Sequence, residues 1–116
     1  MITLYGFGQN LGLADPSHFV LLVDCYLRAT GLEFETVSDI NDLKTAPKGK
    51  LPYMDVDGNM IADSAFILDY LKDNFGDPLD KDLNDKQKAT CHAYKKMLEE
   101  NLYWCMVWLR WIDNPS

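Results

Sequence analysis

Apolar positions along the chain fall into short runs and helical-period stripes, divided by Gly, Pro and Asp. Ile2-Thr3-Leu4-Tyr5 is a short strand-forming run that ends at Gly6. A polar, glycine-containing loop follows to about Pro16. Asp15-Pro16-Ser17 reads as a helix start, with Pro in the first turn and polar capping groups beside it. Phe19, Val20, Leu22, Val23, Tyr26 and Leu27 then recur at helical spacing, and Gly31 is a natural stop. A second strand covers about Glu33 to Val37. Strand, helix, strand in this order predicts a parallel βαβ unit.

The pattern then breaks up. One helical turn is expected near Asn41 to Thr45, and Pro47 and Gly49 mark irregular backbone. Tyr53 to Val56 is a strand, Asp57-Gly58 is a hairpin turn suited to positive φ, and Asn59 to Ile61 returns as the partner strand. Asp63-Ser64 opens a helix that runs to about Phe75 and ends at Gly76. The full order, β-α-β then β-β-α, predicts a mixed four-stranded sheet with helices packed on it, the thioredoxin-like arrangement. This domain is expected over residues 1–76, with an Asp-rich linker at 77–83.

From 84 to 113 the periodicity becomes that of one long helix. Cys91, Tyr94, Leu98, Leu102, Cys105, Leu109 and Ile112 form one apolar stripe, and Ala93, Met97, Trp104, Trp108 and Trp111 form a second. Between Leu102 and Ile112 only Arg110 is charged, so the far half is apolar all round. At 1.5 Å per residue such a helix is roughly 45 Å long, more than a four-stranded sheet can cover. It therefore needs a partner. The sequence predicts either that 84–116 opens a helical domain of a longer protein, or that two chains associate through helix 84–113 as a homodimer.

Composition narrows the function. With 116 residues and 47% apolar positions the chain is expected to fold around one ordinary core. The net charge of −7, with only two Arg, argues against nucleic-acid binding. No apolar run reaches transmembrane length, and the N-terminus lacks a signal-peptide pattern. Cys25, Cys91 and Cys105 make no C-x-x-C, so dithiol redox chemistry and a thiolate metal site are unsupported. They are expected as reduced core thiols of a cytoplasmic protein, with no metal.

The candidate chemistry centres on Pro52. It lies in Gly49-Lys50-Leu51-Pro52-Tyr53, where a cis X–Pro bond is energetically accessible, and Asp63-Ser64 follows at a helix start that attracts anions. Together these segments suit an extended peptide with a free carboxylate. In the strand Ile2 to Tyr5, Ser17, the Gly-Lys-Leu-Pro run and Asp63-Ser64, the chain resembles the N-terminal part of the glutathione S-transferase superfamily. Phe19-Val20-Leu21-Leu22 with Tyr26-Leu27-Arg28, and Met97-Leu98-Glu99-Glu100-Asn101-Leu102-Tyr103-Trp104 with Arg110-Trp111, look like the failed-axon-connections and metaxin-like branch and its bacterial relatives.

The resemblance implies roles. Leu51, before cis-Pro52, would pair its backbone with the cysteinyl unit of glutathione. Ser64 and the helix-start amides would hold the γ-glutamyl carboxylate, with Asp63 adding to that cluster, and Lys50 would reach the glycyl carboxylate. Ser17 stands at the catalytic position, where its hydroxyl would donate to the glutathione sulfur and favour the thiolate that attacks an electrophile. Glutathione is then the co-substrate. Each residue also has a plainer role. Ser17 and Asp63-Ser64 suit helix caps, Lys50 suits a solvated surface, and the Trp and Tyr of the last helix suit packing. His18 follows Ser17 where many relatives carry Pro. Two functions stay open: glutathione binding with conjugation, and a non-catalytic, metaxin-like adaptor acting through protein contacts.

Overall fold

In the computed structural model of the protein, residues 1–38 and 50–113 are described. The turn expected near Asn41 to Thr45, and Pro47 and Gly49, lie outside the described residues. The chain divides into two compact units, Met1–Pro78 and Leu79–Ser116.

The first unit runs β1 (Ile2–Tyr5), α1 (His18–Thr30), β2 (Phe34–Val37), β3 (Tyr53–Val56), β4 (Asn59–Ala62) and α2 (Ser64–Phe75). The strands form one sheet in the order β2-β1-β3-β4. β1 and β2 pair in parallel, as the intervening helix requires, while β3 is antiparallel to both β1 and β4. This is the thioredoxin-like arrangement. Asp57 at φ 51° and Gly58 at φ 92° give the hairpin turn both of its left-handed residues.

Strand alternation sends Ile2 and Leu4 of β1, and Met54 and Val56 of β3, to one face. Val20, Val23 and Leu27 of α1, with Ile67 and Leu71 of α2, cover that face and complete a single core. The buried stripe of α1 is narrower than the sequence pattern suggested. Phe19 and Leu22 point outward, and Asp24 takes a buried position instead. Asp24 is tolerated there because Arg28, one turn on, donates Nε–H to its Oδ1 at 2.6 Å. The bond and the adjacent negative charge raise the affinity of the Arg28 guanidinium for its proton above the usual value. Because that value is raised, loss of the Arg28 charge would need a pH far above the working range. Arg28 also lies over the Phe34 ring, 5.4 Å from its centroid, tying α1 to β2.

The first helix starts two residues later than its sequence suggests. Pro16 lies outside it, Ser17 is the N-cap and His18 is the first helical residue. The cysteines differ more. All three are free, but all three are exposed rather than in the core. Cys25 faces out because the inward positions of α1 are taken by Val20, Val23, Asp24 and Leu27.

The helix of the second unit is capped by Asn84, whose side chain accepts from the Gln87 amide while the Gln87 side chain accepts from the Asn84 amide. This reciprocal box starts α3 (Asp85–Met97). Helical backbone continues through a π-helical turn at Leu98–Leu102, α4 (Tyr103–Val107) and a second π-helical turn at Trp108–Asp113. The single helix expected over 84–113 is thus unbroken but not uniform, since wider turns interrupt it twice. None of its described residues is buried.

Candidate functional site

Strand register decides what meets at the site. Tyr5 closes β1 and is paired with Tyr53, which opens β3, and Tyr53 is paired with Ala62, which closes β4. Three segments therefore leave the sheet from one cross-strand row. The loop to Ser17 follows Tyr5, Leu51-Pro52 precedes Tyr53, and Asp63-Ser64 follows Ala62. Val37, paired with Tyr5, ends β2 at the same level. The carboxyl ends of β1, β2 and β4 thus share one end of the sheet, where open α/β sheets commonly bind ligands. The Tyr5 and Tyr53 rings stack across the row, with centroids 4.3 Å apart and planes 8° from parallel.

The Leu51–Pro52 peptide is cis, as expected from the Gly-Lys-Leu-Pro run. Pro52 is buried, Leu51 half-buried and Lys50 exposed. At the start of α2 the result departs from the sequence expectation. Asp63 occupies the N-cap position, but its side chain makes no capping bond. Its backbone carbonyl accepts from the Ile67 amide at 2.9 Å instead. Asp63 is also held at φ 78°, ψ 129°, a region that residues with a Cβ seldom enter. Such a conformation costs on the order of 1–3 kcal/mol and persists only where its surroundings impose it. Ser64 is buried, 7% exposed, so it lies within the wall of the site and not on its rim.

Ser17 is placed differently. It is the N-cap of α1 and half-exposed, and its Oγ accepts from the Val20 amide at 3.4 Å. That contact is long for a hydrogen bond and fixes the hydroxyl weakly. Because the oxygen is the acceptor, this bond does not use the hydroxyl proton. His18 beside it is half-buried, and its ring packs at 3.9 Å on Phe19.

One residue was undervalued in the sequence. Asp15 is 4% exposed, and its carboxylate receives three backbone amides: Phe7 at 2.7 Å and Gly8 at 3.0 Å on Oδ2, and Ser17 at 2.9 Å on Oδ1. Its place two residues before a cap marked it as one more polar group at a helix start. Nothing in the sequence showed that the exit of β1 would return to it. Gly6 is what allows the approach, since a Cβ there would lie 2.6 Å from Asp15 Oδ2 and 2.7 Å from Val20 Cγ1. Asp15, Gly6 and Gly8 line a cavity of about 330 Å³ that extends past Asp24 and Arg28 to Ser38. Among the described residues no group of His, Cys, Asp or Glu is placed to hold a metal ion.

Comparison with known proteins identifies the family. Residues 18–115 match the family model of the glutathione S-transferase N-terminal domain. The chain is 44% identical, over its whole length and 50% of the relative's, to the isoprene-epoxide glutathione S-transferase of a Rhodococcus species. It is 34% identical to Failed axon connections of Drosophila melanogaster, with 95% of this chain and 26% of that protein covered. Metaxin-2 of Homo sapiens is 27% identical, over 94% of this chain and 41% of the relative. Among solved structures, the β-etherase LigF of Sphingobium sp. strain SYK-6 superimposes with a TM-score of 0.65 at 28% identity, covering 96% of this chain and 49% of the other. The chain spans half or less of the length of these relatives. Family match, relatives and fold agree, and the chain belongs to the glutathione S-transferase family, corresponding to its N-terminal part.

Proposed function

We propose that this protein binds glutathione at the end of the sheet marked by Tyr5, Tyr53 and Ala62 and conjugates it to an electrophile. The observation that supports this reading is the register, by which the loop leading to Ser17, the Leu51-Pro52 segment and Asp63-Ser64 all adjoin one end of the sheet. In this reading Leu51 offers its backbone N–H and C=O to the cysteinyl unit. Ser64 and the first amides of α2 take the γ-glutamyl carboxylate, where the helix start supplies partial positive charge. Asp63 adds an acceptor for the neighbouring ammonium, and Lys50 is the cation for the glycyl carboxylate. The first unit is the glutathione-holding domain, and the second begins a helical domain.

Ser17 carries the chemistry in this proposal. Its hydroxyl donates to the glutathione sulfur and lowers the thiol pKa from about 8.5, so that more of it is thiolate at neutral pH. The thiolate is the nucleophile. Because a relative at 44% identity is named for an epoxide, an epoxide is the first electrophile to test. Sulfur would form a bond to a ring carbon, the carbon–oxygen bond would break, and the released alkoxide would take a proton from solvent.

Titration calorimetry on the full-length protein with glutathione at millimolar concentrations tests binding, and absence of heat overturns the proposal. Ser17→Ala is expected to lower conjugation roughly 10²–10⁴-fold, the usual contribution of a group that assists proton placement, with glutathione affinity kept.

A second reading has an observation of its own. Trp104, Trp108, Leu109, Trp111 and Ile112 are each more than half exposed. Such a surface suits association with a second copy of the chain, or adaptor contacts of a non-catalytic scaffold. Equal conjugation by wild type and Ser17→Ala, or none by either, would favour the scaffold. No described helix is long and apolar enough to cross a membrane. A cytoplasmic location belongs to the proposal.

A further inference from the structure

We propose that Asp15 is a positioning residue for Ser17, and that its carboxylate sets how strongly the protein ionises bound glutathione. This rests on the reading of Ser17 as the hydroxyl that meets the sulfur.

The loop between β1 and α1 spans 6–17. Its start is pinned by the Gly6 amide, which donates to the Val37 carbonyl at 3.0 Å. Its middle is held locally through the paired backbone groups of Asn10 and Leu13, and Phe7 and Leu11 are more than half exposed. The Asp15 carboxylate joins the two ends. Oδ2 receives the amides of Phe7 and Gly8, just after β1, and Oδ1 receives the amide of Ser17, just before α1. Hydrogen bonds to an ionised carboxylate are roughly twice as strong as neutral ones. Among the described residues the Ser17 hydroxyl is oriented by a 3.4 Å contact with the Val20 amide, whereas its backbone is held at 2.9 Å by Asp15. The shorter, charge-assisted bond sets where the hydroxyl stands.

One feature makes the arrangement specific to a carboxylate, and a second makes room for it. Three N–H donors converge on two acceptor oxygens, so an amide side chain would turn an NH₂ toward a donor at one of them. Gly6 leaves room for Oδ2 where a methyl group would lie 2.6 Å from it.

The test compares wild type, Ser17→Ala and Asp15→Asn by ultraviolet absorbance of the thiolate as glutathione-bound protein is titrated with alkali. In the wild type the bound thiol should ionise below its free value, and Ser17→Ala should abolish that shift. Asp15→Asn should raise the thiol pKa by about one unit, a tenfold smaller thiolate fraction below it, and lower kcat accordingly while glutathione affinity changes little. A merely structural Asp15 would lower Tm and leave the thiol pKa alone. That result overturns the positioning role and spares the proposed function. A wild type that binds no glutathione, or does not shift its thiol, overturns both. Should Asp15→Asn not fold, amide hydrogen exchange of the wild type decides. The Phe7, Gly8 and Ser17 amides must be protected relative to the exposed Gly12, and exchange of the Ser17 amide as fast as that of Gly12 would overturn the inference.

Discussion

At the scale of single residues, local preference is not followed everywhere around the site. Asp63 is the clearest. Its φ of 78° is costly for a residue with a Cβ, and its side chain does not repay the cost by capping α2. If the carboxylate is there for a ligand, Asp63→Gly should release about 1–3 kcal/mol of strain, less about 0.5–1 kcal/mol for the freer unfolded chain. The expected outcome is a Tm equal to or a few degrees above wild type, with weaker glutathione binding by calorimetry. A clear drop in Tm would show that Asp63 supports the fold instead. The identities of Ser17, Leu51, Pro52, Asp63 and Ser64 as a candidate set were legible in the sequence, because Pro and helix-start residues leave local signals. The part played by Asp15 was not, because its partners Phe7 and Gly8 are brought to it only by the return of the loop.

Among the elements, α1 shows how far periodicity carries and where it stops. Helical spacing marked Phe19, Val20, Leu22, Val23, Tyr26 and Leu27 alike, but the sheet receives only a narrow stripe. Leu27 is fully buried and Leu22 is 42% exposed. Leu27→Ala should therefore cost about 2–5 kcal/mol, while Leu22→Ala should stay within about 0.5 kcal/mol. Chemical denaturation with matched slopes would measure both. Equal effects would mean that Leu22 is covered in solution. The helix face could not be chosen from the sequence, because Leu22 and Leu27 have the same chemistry and differ only in which neighbour they meet. The hairpin at Asp57-Gly58 was legible for the opposite reason. Positive φ at both turn positions is a property of the two residues themselves.

For the whole molecule, the consequence follows from the second unit. Its aromatic residues Trp104, Trp108 and Trp111 are exposed, which a soluble surface tolerates poorly unless something covers them. We expect the 116-residue chain to self-associate through this helix. Sedimentation at micromolar concentrations should give a mass that rises with concentration, and Trp108→Glu should lower it. A monomer with no dye-accessible apolar surface would contradict this. By itself the sequence determined the order of the elements, the mixed sheet, the hairpin and the family. These rest on local signals, such as strand alternation, helical period, turn residues and the Gly-Lys-Leu-Pro run. Only the tertiary structure decided that three separate segments share the row Tyr5-Tyr53-Ala62, that the cysteines face outward, and that Asp15 ties β1 to Ser17. Those are facts about which distant residues become neighbours, and hydrogen-bond register and side-chain burial are fixed only when the chain has closed on itself.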